Sequence, residues 1–539
     1  QVVVFSPRGN LSQFIAGEVL AMPASNVVAL AALFVLRPIA ALHSERFPLM
    51  RSLSDLTQLP SEEARASQSV QEMHNDGDAS YSITVSVGGQ NLEVIPDTGS
   101  FDFLVFGSHC KIGCGPVHRL YNDSMSDSYE KGSAFTLHQF GSGDAWSSES
   151  YDRVVSGPAQ SPRQVFWQVY SADMPILAMG DFQGILGLGP PESSVSIAER
   201  DAKDVQEELE YIKKGGGHVS EKQRKIANNY FALADHAKTA RSIAADFELE
   251  SFSICLRRAS GSPGSLIWHD VAPEKRPPNL FRTIEVSPDE LFWSAKLEYV
   301  ALGPLPGSSE SQGRTPIGCG QSPCTAIVDS GTSLIVAPRE ASWAVEDALH
   351  KWRALSGNCT DLSSLPNLEF VMGGIPFSLP PQSYVGDLSG DWSELDPKLQ
   401  GFLPHLDKQI LALKTNTDVK RQPFDACTPL IMVMDTAPGE APQWILGMPF
   451  FRQYYTTFTF GQGQEPWRKS AKSMSFAVAD SDCQPTMADK LLASGQEEEQ
   501  QRMRIDMKKI RMPHWMTRER PPLGKAESSK GVRSVPDFK

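Results

Sequence analysis

Two short stretches, Ile95-Pro96-Asp97-Thr98-Gly99-Ser100 and Ile327-Val328-Asp329-Ser330-Gly331-Thr332-Ser333, repeat nearly the same pattern in the two halves of the chain. Each places one aspartate at the end of an apolar run, followed by a small hydroxyl residue, a glycine and a second hydroxyl residue. Glycine permits a tight turn there, and the hydroxyls can hydrogen-bond a carboxylate. A single copy would be typical of a carboxylate that caps a turn. Two matched copies predict that Asp97 and Asp329 form one shared site.

Two carboxylates held about 3 Å apart cannot both ionise cheaply, so they share one proton. The ionised member can take a proton from a water molecule while the protonated member polarises a peptide carbonyl, which allows hydrolysis without a covalent intermediate. Glycosidases also use two carboxylates, but these lie about 5 Å or more apart, and nothing else in the chain suggests a sugar cleft. A serine hydrolase would need a nucleophile elbow, and none lies between a strand and a helix.

Length and charge limit the other classes. The 539 residues suffice for two or more lobes, each with its own core. The formal net charge of -14 argues against nucleic-acid binding, which needs a concentrated basic face.

The chain contains eight cysteines, of which two pairs are close in sequence: Cys110 with Cys114, and Cys319 with Cys324. Either spacing could serve a metal site or a small disulfide loop. One pair follows the first aspartate and the other precedes the second, and the sequence carries an apparent export signal. Disulfides are therefore the preferred interpretation, and no metal site is predicted.

Strand-like patterns surround both aspartates. From Tyr81, apolar residues alternate through a Gly88-Gly89 turn toward Asp97, which predicts a β-hairpin. Ile185-Leu186-Gly187 follows Asp97 as Trp444-Ile445-Leu446-Gly447 follows Asp329, so the two halves are interpreted as a divergent duplication. Between them, the charged, alanine-rich segment from Glu192 to Glu250 is expected to form two surface helices.

These patterns divide the chain into five expected regions. Residues 1–44 are expected to be an N-terminal extension and signal peptide whose apolar core is Val27 to Leu36, and residues 45–73 a short prosegment-like lead-in. Residues 74–250 are expected to form an N-terminal lobe, and residues 251–483 a C-terminal lobe. Residues 484–539 are expected to be a disordered charged tail, with a short amphipathic helix as the alternative.

From Tyr81 to Cys483 the chain resembles the pepsin-like aspartic endopeptidase family. The resemblance is carried by the two aspartate stretches, Cys319 to Leu334, and Cys427 to Phe460, in the family's order. It implies a mainly β, bilobal fold with duplicated lobes, a cleft between them, a hairpin flap that closes over substrate, and here inserted surface helices. The segment Phe47-Pro48-Leu49 resembles the start of the family's inhibitory prosegment.

The resemblance also assigns roles by position. It implies that Asp97 and Asp329 are catalytic, and that the residues supporting this dyad are Thr98, Gly99, Ser100, Ser330, Gly331 and Thr332. The implied flap and substrate-binding residues are Phe140, Gly141, Ser142, Gly143 and Leu104. Phe140 stands where the family usually has tyrosine, and Leu104 where it commonly has tryptophan, so an apolar contact could replace a polar one. The implied disulfides join Cys110 to Cys114, Cys319 to Cys324 and Cys359 to Cys427, and we expect the remaining Cys255 and Cys483 to pair.

The sequence therefore predicts an aspartic endopeptidase that cleaves peptide bonds between apolar residues at acidic pH. We expect protein or peptide substrates, no cofactor, no nucleic-acid partner, no stable membrane span and a monomeric state. The expected location is the secretory pathway, in an extracellular or acidic endolysosomal or vacuolar compartment. The alternative is a catalytically inactive, pepsin-like peptide-binding protein.

Overall fold

The computed structural model describes residues 69–110, 112–115, 119–287, 290–303, 314–320, 324–356, 362, 365–390, 397–403, 426–435, 441–460, 472–487 and 503–513. The proposed signal region and the Phe47-Pro48-Leu49 segment lie outside these residues. Within them, no helix is long and apolar enough to cross a membrane.

Strands dominate the described chain. In chain order they are β1 Ser69–Asp76, β2 Ser80–Val87, β3 Gln90–Asp97, β4 Phe103–Phe106, β5 Glu130–Phe140, β6 Gly143–Ser156, β7 Ala159–Asp173, β8 Gly184–Gly187, β9 Ser251–Leu256, β10 Gly264–Trp268, β11 Arg282–Val286, β12 Ser294–Leu302, β13 Thr315–Gly318, β14 Cys324–Val328, β15 Ile335–Ala337, β16 Leu368–Met372, β17 Ile375–Leu379, β18 Val385–Ser389, β19 Ala426–Pro429, β20 Ile431–Val433, β21 Gln443–Leu446, β22 Tyr454–Thr459, β23 Lys472–Ala479, β24 Pro485–Thr486 and β25 Arg504–Asp506.

Helices occupy the connections between these strands. The α-helices are α1 Ser193–Lys214, α2 Glu221–Thr239, α3 Ile243–Asp246, α4 Arg339–Ser356, α5 Pro381–Tyr384, α6 Pro397–Phe402 and α7 Met448–Gln453. Short 3₁₀ helices span Asp123–Met125, Pro175–Ala178, Pro273–Lys275 and Met507–Lys509.

The two aspartates end strands of two different sheets. Asp97 ends β3 in the largest sheet, whose order is β11-β23-β22-β9-β10-β1-β2-β3-β8-β4-β7-β6-β5. Asp329 follows β14 in a second sheet, ordered β17-β16-β12-β14-β21-β15-β20. These sheets form the bilobal, mainly β fold that the sequence predicts.

The duplication predicted from the two apolar-glycine strands is visible in the strand register. In the first half, β3 pairs in parallel with β8, so that Ile95 lies opposite Ile185, and β8 pairs antiparallel with β4. In the second half, β14 pairs in parallel with β21, so that Ile327 lies opposite Ile445, and β21 pairs antiparallel with β15. Each aspartate therefore lies at the end of an outer strand of the same kind of three-stranded unit, beside the central strand β8 or β21.

The insertion between the halves forms the two predicted surface helices. The Gly215-Gly216-Gly217 break separates α1 from α2, and Gly216 has a φ of 74°. Ser220 and Gln223 form a reciprocal capping box at the start of α2, which satisfies amide groups that the first helical turn leaves unpaired. Most side chains of both helices are exposed or half-buried, and only a few, such as Val205 and Ala227, are buried.

Two of the expected region boundaries differ from the structure. Residues 69–73, assigned to a lead-in, belong to β1, which pairs with β10 and β2. Residues 503–513, assigned to a disordered tail or an amphipathic helix, form β25 and a 3₁₀ helix. They are ordered because Met503, Ile505 and Met507 bury their side chains in an apolar cluster of the second half of the chain.

Candidate active site

Asp97 is fixed by the backbone around β3. Its carbonyl oxygen accepts a hydrogen bond of 2.8 Å from the Leu188 amide, just beyond β8. Its Oδ1 accepts a hydrogen bond of 3.0 Å from the Gly99 amide two residues later. The side chain of Asp97 is only 3% exposed. The turn thus presents a buried carboxylate at the end of a central strand.

Asp329 is held in a matching way by its own turn. Its amide donates a hydrogen bond of 3.1 Å to the Leu446 carbonyl of β21. Oδ1 accepts a hydrogen bond of 2.7 Å from the Gly331 amide, and Oδ2 accepts one of 2.6 Å from Thr332 Oγ1. One hydrogen bond therefore fixes the backbone of Asp329, and two fix the orientation of its carboxyl group.

The two turns are joined by a reciprocal set of hydrogen bonds between Thr98 and Ser330. The Thr98 amide donates to Ser330 Oγ over 3.1 Å, and the Ser330 amide donates to Thr98 Oγ1 over 2.9 Å. The same hydroxyls donate across the site, Thr98 Oγ1 to the Val328 carbonyl and Ser330 Oγ to the Pro96 carbonyl. Because each hydroxyl bonds two backbone groups of the other half, the two turns are locked at one separation.

The glycine of each turn packs on the aspartate of the other. A Cβ added at Gly99 would lie 2.5 Å from Asp329 Cγ, and one added at Gly331 would lie 2.1 Å from Asp97 Oδ1. Both positions therefore require glycine for close approach rather than for an unusual backbone angle. The approach brings the two carboxyl groups within reach of a mutual hydrogen bond.

The pairing changes the acidity of Asp329. Burial raises the pKa of Asp329 well above the ordinary carboxyl range, and the neighbouring Asp97 charge raises it further. The hydrogen bonds from Thr332 and Gly331 oppose this shift without cancelling it. One proton therefore stays on the pair at pH values where isolated carboxylates are ionised, and it belongs to the pair as a whole.

The shared proton makes the stability of the folded protein depend on pH. Since the folded-state pKa of Asp329 is raised, its contribution to stability is fully present below the unfolded-state pKa, about 4, and is lost as the pH rises through the folded-state pKa. We expect the melting temperature of Asp329→Asn to exceed that of the unchanged protein by about 5 °C at pH 8, and the gap to shrink toward pH 4. Calorimetry at both pH values measures it. A gap that is constant with pH would contradict the shared proton.

One predicted supporting hydroxyl behaves differently. Ser100 lies in the first turn where Thr332 lies in the second, and the resemblance implies that both hydroxyls bond their aspartates. Ser100 Oγ is buried but has no hydrogen-bond partner among the described residues. Thus the two carboxyl groups are not supported symmetrically in this structure.

The residues expected to form a flap lie at the tip of the β5–β6 hairpin. Phe140 pairs with Gly143 across the turn, and Gly143 has a φ of 134°, in a region that favours glycine. Phe140 is 3% exposed and belongs to one apolar cluster together with Leu104. The hairpin tip is therefore closed down on apolar side chains rather than extended into solvent.

An arginine that the sequence interpretation did not select also reaches the site. Arg511 is 3% exposed, and its Nη2 lies 3.8 Å from Asp97 Oδ2. The Met512 amide donates to Ser142 Oγ over 3.1 Å, and the Gly141 amide donates to the Pro513 carbonyl over 2.8 Å. The alternation of Met503, Ile505 and Met507 was a strand signal that could have identified this segment.

Three disulfides occur among the described residues. They join Cys110 to Cys114, Cys319 to Cys324 and Cys255 to Cys483. The last has the pairing expected for the two cysteines left over in the sequence, and it links β9 to the turn after β23. Cys359 lies outside the described residues, so its pairing with Cys427 stays a prediction.

Fold and site together define a duplicated, bilobal β protein with two buried aspartates held side by side between its halves. The chain belongs to the eukaryotic aspartyl protease family, whose profile matches residues 80–394, more than half of its length. It is 26% identical over 410 residues to pepsin II-2/3 of Oryctolagus cuniculus, covering 75% of this chain and 84% of that protein. It is 25% identical to gastricsin of Suncus murinus over 395 residues, with 72% and 80% covered, and 26% identical to human gastricsin over 400 residues, again with 72% and 80% covered.

Proposed function

We propose that this protein is an active aspartic endopeptidase that hydrolyses peptide bonds with a water molecule activated between Asp97 and Asp329. The observation that carries the proposal is the close packing of two buried carboxyl groups, each against the glycine of the opposite turn. Family membership supports peptide hydrolysis as the reaction class.

The proposed reaction needs one carboxylate and one carboxylic acid. The ionised member of the pair takes a proton from water, and the protonated member donates a hydrogen bond to the scissile carbonyl oxygen. The resulting tetrahedral species collapses when the leaving nitrogen is protonated, which breaks the C–N bond and frees a carboxylic acid and an amine. The raised pKa of Asp329 favours the shared-proton state that this cycle requires.

The geometry also supports apolar substrate residues. Leu104 and Phe140 belong to an apolar cluster on the flap side of the cleft, together with Ile176 and Phe182. These side chains are buried in the structure, and an apolar substrate side chain that packs against this cluster when the flap moves would gain free energy by burial. We therefore propose cleavage between apolar residues at acidic pH.

A peptide-library digest tests the function. The purified protein and an Asp97→Asn variant, each cut between residues 488 and 502 so that residues 503–513 can leave the site, are incubated at pH 4 with a mixture of unstructured peptides. New termini are identified by mass spectrometry. We expect internal cleavages between apolar residues that the variant does not produce. If the two proteins produce the same termini, the peptide hydrolysis does not come from this site.

A specific observation keeps the binding alternative in view. The Ser100 hydroxyl makes no hydrogen bond to the Asp97 carboxylate among the described residues, and Arg511 lies beside that carboxylate instead. A peptide-binding protein would retain affinity for the library without any turnover dependent on Asp97. The same digest, with bound peptides recovered and identified, separates the two functions.

Replacing Phe140 tests its proposed place in the flap. In Phe140→Tyr the new hydroxyl enters a buried apolar cluster, and a buried hydroxyl without a partner costs about 1–3 kcal/mol. We expect a changed rate of peptide turnover and a changed choice of cleavage site, measured by the same digest. Phe135→Tyr, on the half-buried middle of β5, is the matched control. Unchanged turnover and site choice in Phe140→Tyr would show that Phe140 is not a flap residue.

We propose the secretory pathway, with an acidic compartment as the place of action. The three disulfides among the described residues support an oxidising route. A shared proton on the dyad suits acidic surroundings. Monomeric action on protein or peptide substrates, without a cofactor, remains part of this proposal.

A further inference from the structure

The segment Met503–Pro513, here called the C-terminal strap, crosses the candidate active site. It enters as β25, which pairs in parallel with β18, so that Ile505 lies opposite Leu388. The Asp506 amide then donates to the Gly77 carbonyl over 3.2 Å, and Lys509 pairs with Asp76. The strap therefore contacts both halves of the molecule before it reaches the aspartates.

At the aspartates, the strap backbone is held from two sides. The Arg511 amide donates to Ser333 Oγ over 2.7 Å, and the Ser333 amide donates to the Arg511 carbonyl over 3.2 Å. From the opposite side, Ser142 Oγ accepts from the Met512 amide, and the Gly141 amide donates to the Pro513 carbonyl. An extended backbone thus spans the space between the Asp329 turn and the tip of the β5–β6 hairpin.

The Arg511 side chain also places a positive charge in the site. Its guanidinium lies beside Asp97. Burial lowers the pKa of Arg511, and the charges of Asp97 and Asp329 oppose that shift. Nη1 is buried and has no hydrogen-bond partner among the described residues. A buried cation of this kind is costly unless it is paired, so its position depends on the carboxylates.

Apolar burial holds the rest of the strap. Ile505 is fully buried and Met507 is 1% exposed, and both belong to the cluster that contains Leu334, just beyond the Asp329 turn. Met512, next to Arg511, is 4% exposed in the same cluster. Apolar burial therefore holds the strap as it would hold a separate bound ligand, although the strap is covalently part of the chain.

We propose that the C-terminal strap is an internal ligand of the cleft, which blocks peptide access to Asp97 and Asp329 until it leaves. This inference rests on the proposed function, because the strap regulates the same site. A substrate backbone that reaches the dyad would need the hydrogen-bonding groups of Ser333, Gly141 and Ser142, which the strap already uses. Strap and substrate therefore exclude each other, and apparent substrate affinity falls in proportion to the strap-free fraction.

The test cuts the chain ahead of the strap only after the protein has folded, so that the strap is present during folding. A recognition site for an added sequence-specific protease is inserted between residues 488 and 502, and the folded protein is then cut and diluted. Binding of a fluorescent statine-containing peptide is measured by polarisation before and after the cut, because this readout requires no turnover. We expect binding at least about tenfold tighter after the cut.

Synthetic strap peptides supply the matched controls. The peptide of residues 503–513 is expected to displace the statine peptide from the cut protein. The same peptide with Arg511→Ala is expected to displace it at least about tenfold more weakly, whereas Arg504→Ala, which changes an exposed arginine of β25, is expected to match the unchanged peptide. Equal statine binding in cut and uncut protein, unaffected by added strap peptide, would overturn the proposal.

Turnover of a fluorogenic peptide, measured on the same samples, distinguishes the two proposals. Strap-dependent binding without turnover in either form would support the strap and reject the endopeptidase. Turnover dependent on Asp97 at equal rates in both forms, with strap-independent binding, would reject the strap and leave the endopeptidase intact.

Discussion

Replacing either aspartate with asparagine is expected to lower kcat for peptide cleavage by about 10⁴-fold. In Asp97→Asn or Asp329→Asn the pair can no longer divide one proton between an acid and a base. The fold should persist, because an asparagine side-chain oxygen can still accept the amide hydrogen bond that each aspartate accepts from the glycine of its own turn. The measurement is kcat on a fluorogenic peptide at pH 4, with the strap released.

Asp102→Asn is the matched control for this loss. Asp102 lies five residues after Asp97, and its carboxylate accepts a hydrogen bond of 3.1 Å from Ser194, outside the dyad. Asp102 is half-buried, and desolvation raises the pKa of its carboxyl too, so it is a second aspartate with a raised pKa close to the pair. We expect Asp102→Asn to retain most of the activity. Comparable losses in all three variants would mean that general damage, rather than the dyad, explains the effect.

Gly331→Ala is expected to lower kcat/KM by at least about 100-fold. The added methyl group would lie 2.1 Å from Asp97 Oδ1, closer than real Cβ contacts allow, so the carboxylate of the opposite turn has to move. Displacing a reacting group by about 1 Å is enough for such a loss, because the geometry of attack is no longer productive. The measurement is steady-state cleavage of the same peptide.

Gly401→Ala controls for the change of glycine to alanine itself. Gly401 lies in α6, is exposed and has no heavy atom within 4 Å of its added Cβ. Alanine also has a higher helix propensity than glycine, so the stability of Gly401→Ala should be unchanged or slightly higher. Normal activity in Gly331→Ala would contradict the packing of the second turn against Asp97.

The central residues of the candidate site could be predicted from sequence because their motif occurs twice in the chain. Each copy carries the aspartate, the glycine and a hydroxyl at the next position, and the structure brings Thr98 and Ser330 together as reciprocal partners. Their exact bonding could not be predicted, since a short turn motif does not specify which opposite backbone groups it will meet. The matched apolar-glycine strands predicted the duplication, which the parallel register of β3 with β8 and of β14 with β21 confirms.

The role of the C-terminal strap could not be predicted from its composition. Its Arg and Lys residues are typical of a solvated tail, and two charged residues separate Met507 from Ile510. What orders the strap is long-range: pairing of β25 with β18, burial of Met503 and Met507, and the acidic pair that Arg511 meets. None of these partners is near the strap in sequence.

The pH dependence of kcat/KM for the strap-released protein tests the shared proton between Asp97 and Asp329 most directly. A bell-shaped profile is predicted, because one carboxyl must be ionised and the other protonated, and the two limbs belong to the pair. The raised pKa of Asp329 places the alkaline limb above the ordinary carboxyl range. A profile with one rising limb and no fall up to pH 8 would contradict the shared-proton mechanism.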